Sequence, residues 1–143
     1  MLLTACGENA VEVRRTSVTG DDRAACEALV EALPDRVADQ APRETRGSPL
    51  GAAWGDPAIV VRCGVGPPEG YTPLSACQTA NGVDWFTPDA TVEDQGVDAV
   101  LTTLGREPAV ELVVPSELRP PVAAMVDIAP AIKEHTRVVR RCS

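Results

Sequence analysis

Leu74-Ser75-Ala76-Cys77-Gln78-Thr79-Ala80-Asn81-Gly82-Val83-Asp84-Trp85-Phe86 holds two strand-like runs about an Asn-Gly pair. Asn and Gly accept the positive φ angles that a type I′ turn imposes, so the stretch predicts a β-hairpin. Alternation puts Val83 and Trp85 on one side and Asp84 and Phe86 on the other, and at least one aromatic ring should face a core. Downstream, residues 98–115 (DAVLTTLGREPAVELVVP) predict a second hairpin, turning at Gly105-Arg106-Glu107-Pro108, with Val110, Leu112 and Val114 alternating with Ala109, Glu111 and Val113. Upstream, residues 58–65 (AIVVRCGV) form a β-branched run suited to a central strand. These segments give about five strands.

Helical periodicity flanks them. Residues 21–35 place Ala25, Leu29, Ala32 and Leu33 on one face, with Asp21 or Asp22 as N-cap and Pro34 as the stop. Near the other end Val122, Met125, Val126, Ala129 and Ile132 recur at helical spacing; Pro120 and Pro121 suit the first turn, and Pro130 should kink or divide the helix. Helix, strands, helix describes an α+β domain: an antiparallel sheet of about five strands with the N- and C-terminal helices packed on one face. Residues 35–57 mix Pro, Gly and charge and are expected to be a long irregular crossing.

A chain of 143 residues, 44% apolar, suits one domain. Only Trp54, Tyr71, Trp85 and Phe86 are aromatic, so Val, Leu, Ile and Ala must fill the core. The 21 acidic groups exceed the 13 basic ones, for a net charge of −8, which opposes binding to nucleic acid.

The opening Leu3-Thr4-Ala5-Cys6, followed by Gly7, has the form of a lipoprotein cleavage site. Cleavage would leave Cys6 as the N-terminus, thioether-linked to diacylglycerol and carrying fatty acyl chains such as palmitate. The expected organisation is therefore a residual signal peptide over 1–6, a flexible tether over 7–20 and a single domain over 21–143. The basic region and the length of a full signal peptide are missing from this stretch. The other cysteines, Cys26, Cys63, Cys77 and Cys142, are even in number and contain no C-x-x-C pair, which favours two disulfides in an oxidising compartment over a zinc site. Three connectivities are open. Cys63–Cys77 with Cys26–Cys142 is preferred here, on the expectation that the first pair joins neighbouring strands and the second ties the first helix to the chain's end.

The segment Ala52-Ala53-Trp54-Gly55-Asp56-Pro57, Arg62-Cys63-Gly64, Cys77, Gly82-Val83 with Trp85, and Gly105-Arg106 before Pro108 together resemble the actinobacterial envelope proteins grouped as domain of unknown function family 3515. The resemblance covers roughly residues 22–142. It implies secretion or lipid attachment, disulfides and an actinobacterial source, and it carries over no catalytic residue.

Chemistry is sparse. His135 is the only histidine and falls among charged residues at the end of the last helix. The run Gly64–Gly70 lacks the Lys-Ser/Thr of a phosphate-binding loop, and Glu93-Asp94 lacks the surrounding spacing of a calcium loop, so neither cofactor nor metal is expected. Trp54, Asp56, Arg62 and Trp85 are the binding candidates, lining a groove where the crossing meets the sheet; the same residues equally suit a turn and a core. Arg137, Arg140 and Arg141 suit a membrane surface, or the C-terminal dipole of the preceding helix.

The expected protein is a lipid-anchored accessory or binding domain on the outer face of the cytoplasmic membrane. Its partners would be membrane lipid, through acylated Cys6, and an envelope protein. Two other functions remain open. An envelope hydrolase using carboxylates such as Asp56 and Asp84 would need the two acids about 5–10 Å apart. A subunit of a membrane complex would need an exposed apolar face.

Overall fold

The computed structural model describes residues 9–142, so the Cys6 motif lies outside the described residues. A seven-stranded antiparallel sheet dominates. Its centre is β5 (Ile59–Val65), β10 (Ala109–Val114) and β8 (Ala99–Thr103), followed outward by β7 (Val83–Phe86) and β6 (Gln78–Ala80). Those are the five strands read from the sequence. Two more come from the expected crossing: β4 (Gly51–Trp54) pairs antiparallel with β5, and β2 (Pro42–Arg43) pairs with β4. The sequence hides β4 because Gly51, Ala52 and Ala53 are small and unbranched. At Gly51 the absence of a side chain has a steric cause, since a Cβ there would collide with the Val61 carbonyl and the Val13 side chain.

The expected tether also differs. Of residues 7–20, β1 (Val11–Val13) pairs in parallel with β3 (Thr45–Gly47), and Val13 is fully buried. Beyond it the Thr16 hydroxyl donates to the Cys63 carbonyl at 3.2 Å, and Val18 lies against Gly64. A three-residue strand offers too little alternation to be read from sequence. What holds it is tertiary contact.

Both hairpins form as expected. Asn81 and Gly82 take φ of 48° and 82° between β6 and β7, which pair Ala80 with Val83 and Gln78 with Trp85. Trp85 and Val83 are fully buried, while Phe86, on the opposite face, packs edge-to-face on Tyr71 at 5.6 Å. Strands β8 and β10 set Leu101 opposite Leu112. The turn between them contributes β9 (Arg106–Glu107), which pairs with β11 (Arg137–Val138) in the C-terminal tail.

Helix α1 (Gly20–Ala32) begins after Thr19, a little earlier than either aspartate would place it; Asp21 and Asp22 lie in its first turn, where they complement the helix dipole. Its buried residues are Cys26 and Leu29. The five-residue α2 (Asp89–Glu93) links β7 to β8. Helix α3 (Val122–His135) runs through Pro130 as one element, with the proline on its exposed side, so the expected division does not occur. Met125, Ala129 and Ile132 are buried as predicted, but Ala124, Ile128 and Ala131 join them while Val122 and Val126 are exposed. Helices α1 and α3 touch each other, and their buried residues join Ile59, Val61, Cys63, Leu101, Val110 and Leu112 in one core.

The disulfides are Cys26–Cys63 and Cys77–Cys142, which corrects the preferred pairing. Strands β5 and β6 follow each other in sequence but stand four places apart in the sheet. At about 4.8 Å per place that is roughly 19 Å, well beyond the 4.4–6.8 Å Cα separation of a disulfide. Cys63 instead faces α1 from the buried side of β5. Cys77, just before β6, meets the C-terminal tail.

Candidate functional site

The four sequence candidates do not converge. Trp54 is buried at the end of β4, its indole N–H donating to the Pro34 carbonyl at 3.1 Å. Trp85 is buried on β7, four places away across the sheet, so the two rings anchor separate parts of one core. Asp56, on the β4–β5 turn, has a side chain 89% exposed, with Arg43 at 3.9 Å as its charged neighbour. The expected groove joining these residues is absent because two of its members point into the core and the β4–β5 and β7 segments are separated by the width of the sheet. For the same reason Asp56 and Asp84 do not form a carboxylate pair.

Arg62 is a structural cation. Its Nε and one terminal nitrogen donate to the two Glu111 carboxylate oxygens at 2.8 and 3.2 Å across the β5–β10 register, with the side chains 17% and 14% exposed. Bidentate geometry of this kind offsets much of the desolvation of both charges. Glu111→Ala, which strands the guanidinium, is expected to cost about 2–3 kcal/mol in urea unfolding, whereas the paired change Arg62→Met with Glu111→Leu should be nearly neutral.

The remaining single candidates are placed simply. His135 closes α3, with Glu134 at 3.9 Å. Asp94 accepts the Gly96 amide at 2.8 Å and shapes a turn after Glu93. Among the described residues there is no group of three or more His, Cys, Asp and Glu able to hold a metal ion.

The structure instead builds a groove of about 770 Å³ that the sequence did not reveal. Its walls come from five segments: Arg15–Val18, Asp22 of α1, the end of β5 from Arg62 onward with loop 66–71, the turn from Thr103 to Ala109, and Val139–Arg140. A smaller depression of about 260 Å³ continues from it past Tyr71 and Gly105 to Arg141 and Cys142. The tail that forms one wall is fixed. The Gly105 carbonyl accepts from the Val139 and Arg140 amides at 2.8 and 3.2 Å; Asp84 accepts from the Cys142 amide at 3.1 Å; and Cys142 is bonded to Cys77. Gly105 itself has φ +68°, and any side chain there would run into the Arg140 carbonyl.

The two acids lining the groove are already engaged. Arg137 donates to Asp22 at 3.1 Å and to Glu107 at 2.6 Å, and these bonds hold its pKa above the usual value, the Asp22 hydrogen bond most strongly. Arg106 donates to the Thr136 hydroxyl at 3.2 Å; burial, helped by the nearby Arg141 charge, lowers its pKa against the opposing pull of Asp84. The three arginines grouped in the sequence thus divide into one paired residue, Arg137, and two, Arg140 and Arg141, with no acidic partner among the described residues. A second depression, about 760 Å³, lies between loop 69–78 and α2, where Leu74 is 95% and Val92 62% exposed.

The family described as "Protein of unknown function (DUF3515)" has a sequence profile that matches residues 2–140. The chain belongs to that family. The residues that carried the resemblance are now structural in this fold: Trp54 and Trp85 fill the core, Cys63 and Cys77 lie in different disulfides, and Gly105 admits the tail. No curated protein and no solved structure matches the chain. Among the described residues no helix is long and apolar enough to cross a membrane.

Proposed function

We propose that this member of the family is a lipid-anchored domain on the outer face of the cytoplasmic membrane, acting as a binding or accessory protein of the cell envelope. The observation that carries this reading is the use of cysteine: Cys26, Cys63, Cys77 and Cys142 are all consumed in two disulfides that join segments 37 and 65 residues apart. Such bonds persist in oxidising compartments and are rare in a reducing cytosol. Cys6, outside the described residues, then has a different chemistry open to it, the thioether of a lipoprotein.

If Cys6 is acylated, the domain is held close. Five residue steps lead from Cys6 to Val11, which is fixed in β1, and an extended chain spans about 3.4 Å per residue, so β1 stands within about 17 Å of the lipid. The groove formed in part by Arg15–Val18 is therefore near the membrane surface. A binding role suits that groove better than hydrolysis suits Asp56 and Asp84, which sit at opposite sides of the sheet. The exposed Leu74 and Val92 favour a second reading, an accessory subunit that covers this apolar patch with another protein.

Growth of the native host with radiolabelled fatty acid tests the anchor. Wild-type chain should take up label and Cys6→Ser should not; equal labelling of the two would remove the lipid anchor from the account.

A further inference from the structure

We infer that the groove, with the depression that continues it past Gly105, is an anion-binding site, in which Arg15 and Arg140 of the groove and Arg141 of the depression receive the phosphate or carboxylate oxygens of a ligand. The inference deepens the binding reading given above.

The first observation is a charge imbalance in a chain of net charge −8. Arg137 offsets one of the two charges of Asp22 and Glu107, and Glu111 offsets Arg62. Arg15, Arg106, Arg140 and Arg141 leave the lining with a cationic excess. Among the described residues neither Arg15 nor Arg141 has an acidic partner, and Arg140 makes only a long contact, 3.5 Å, to the Tyr71 hydroxyl.

The second observation is that the two tail arginines stand on an anchored backbone without being paired to an acid. Their backbone is pinned before them by the two amides bonded to the Gly105 carbonyl, and after them by the Cys142 amide on Asp84 and the Cys77–Cys142 bond. A free tail would lose entropy on fixing such long side chains; here that ordering has already occurred on the backbone, which favours capture of a bidentate oxyanion by guanidinium. The third observation concerns Asp84, the carboxylate bonded to the tail at Cys142. Its two oxygens accept from the Thr79 hydroxyl at 2.6 Å and from the Cys142 amide, so it holds the tail in place instead of pairing with an arginine. The influence of Arg141 on Arg106 is consistent with guanidinium groups gathered around the Gly105 turn.

Oxyanions of this kind could belong to a soluble chain or to a lipid headgroup, and the test separates them. The full chain with both disulfides closed is titrated with inorganic tripolyphosphate and, separately, with phosphatidylcholine vesicles with and without phosphatidylglycerol. Saturable binding to at least one probe is expected. Arg140→Gln with Arg141→Gln should weaken it about tenfold or more, Arg15→Gln should weaken it less, and the remote Arg36→Gln should leave it unchanged. Tripolyphosphate binding indicates a soluble ligand; binding confined to phosphatidylglycerol vesicles indicates a headgroup. Unchanged melting temperatures for these surface variants establish that loss of binding is not loss of fold, and Arg15→Gln, on another segment, provides an independent reading. No saturable binding to either probe, or wild-type affinity in the double variant, would overturn the site. A chain that takes up no fatty acid yet binds keeps the site and loses the anchor, and a labelled chain that binds neither probe does the reverse.

Discussion

Replacing Cys26 and Cys63 together by Ala should lower the stability of the domain by about 4 kcal/mol, the chain-entropy contribution of a crosslink spanning 37 residues. Both half-cystines are fully buried, and they join α1 to the central strand β5, so no local motion can relieve the loss. Domains of this size are stable by about 5–15 kcal/mol, and a change of this magnitude lowers Tm on the order of 10 °C. The Cys77–Cys142 bond spans 65 residues and on loop length alone would contribute as much. Its effect should nevertheless be smaller, about 1–2 kcal/mol, because Val139, Arg140 and Arg141 are exposed and the tail can detach while the sheet stays folded. Urea unfolding of the two double-alanine variants measures the difference. Equal losses, or a larger loss for Cys77 and Cys142, would contradict the assignment of the first bond to the core and the second to the groove wall.

Trp54→Ala should cost about 3–5 kcal/mol, the usual result of emptying a buried tryptophan site, and part of the loss is polar. Trp54 is 2% exposed and its indole N–H satisfies the Pro34 carbonyl, which the variant would leave without its partner. Comparison with Trp85 isolates that hydrogen bond. The Trp85 ring is fully buried too, but its N–H has no partner among the described residues. Trp85→Phe removes an unsatisfied donor along with some apolar area, while Trp54→Phe removes a satisfied one. Trp54→Phe is therefore expected to be the more destabilising, by about 1 kcal/mol in denaturant unfolding. A Trp54→Ala protein that melted like wild type but failed to recognise a partner would return Trp54 to the role of binding residue, which its burial argues against.

The hairpins were legible because Asn81-Gly82 and Gly105 are local signals: the backbone conformation they permit is required wherever the turn sits. Helix α3 was legible in extent and, at Met125, Ala129 and Ile132, in its buried face, but not at Val122 and Val126, whose side, shared with Pro130, is turned to solvent by contacts with α1 and the sheet. Strand β4 was not legible at all. Gly51-Ala52-Ala53 has low strand propensity, and what selects it is room for Val13 to pack behind β4. Sheet order, which decides the disulfides, is a long-range property: β10 inserts between β5 and β8, and no local pattern announces it. The groove was hidden for the same reason, being assembled from five distant segments. Its sequence signals were Arg62, named as a binding candidate, and the Arg137, Arg140, Arg141 set, and only the structure shows that Arg62 is held by Glu111 and Arg137 by Asp22 and Glu107.

Intact-mass spectrometry of the chain extracted without reductant from membranes of its natural host addresses the central claim directly. The account predicts a mature N-terminus at Cys6 carrying a diacylglyceryl thioether, and a mass lower by the four hydrogens lost in forming Cys26–Cys63 and Cys77–Cys142. A polypeptide carrying five unmodified thiols would contradict both the compartment and the anchor.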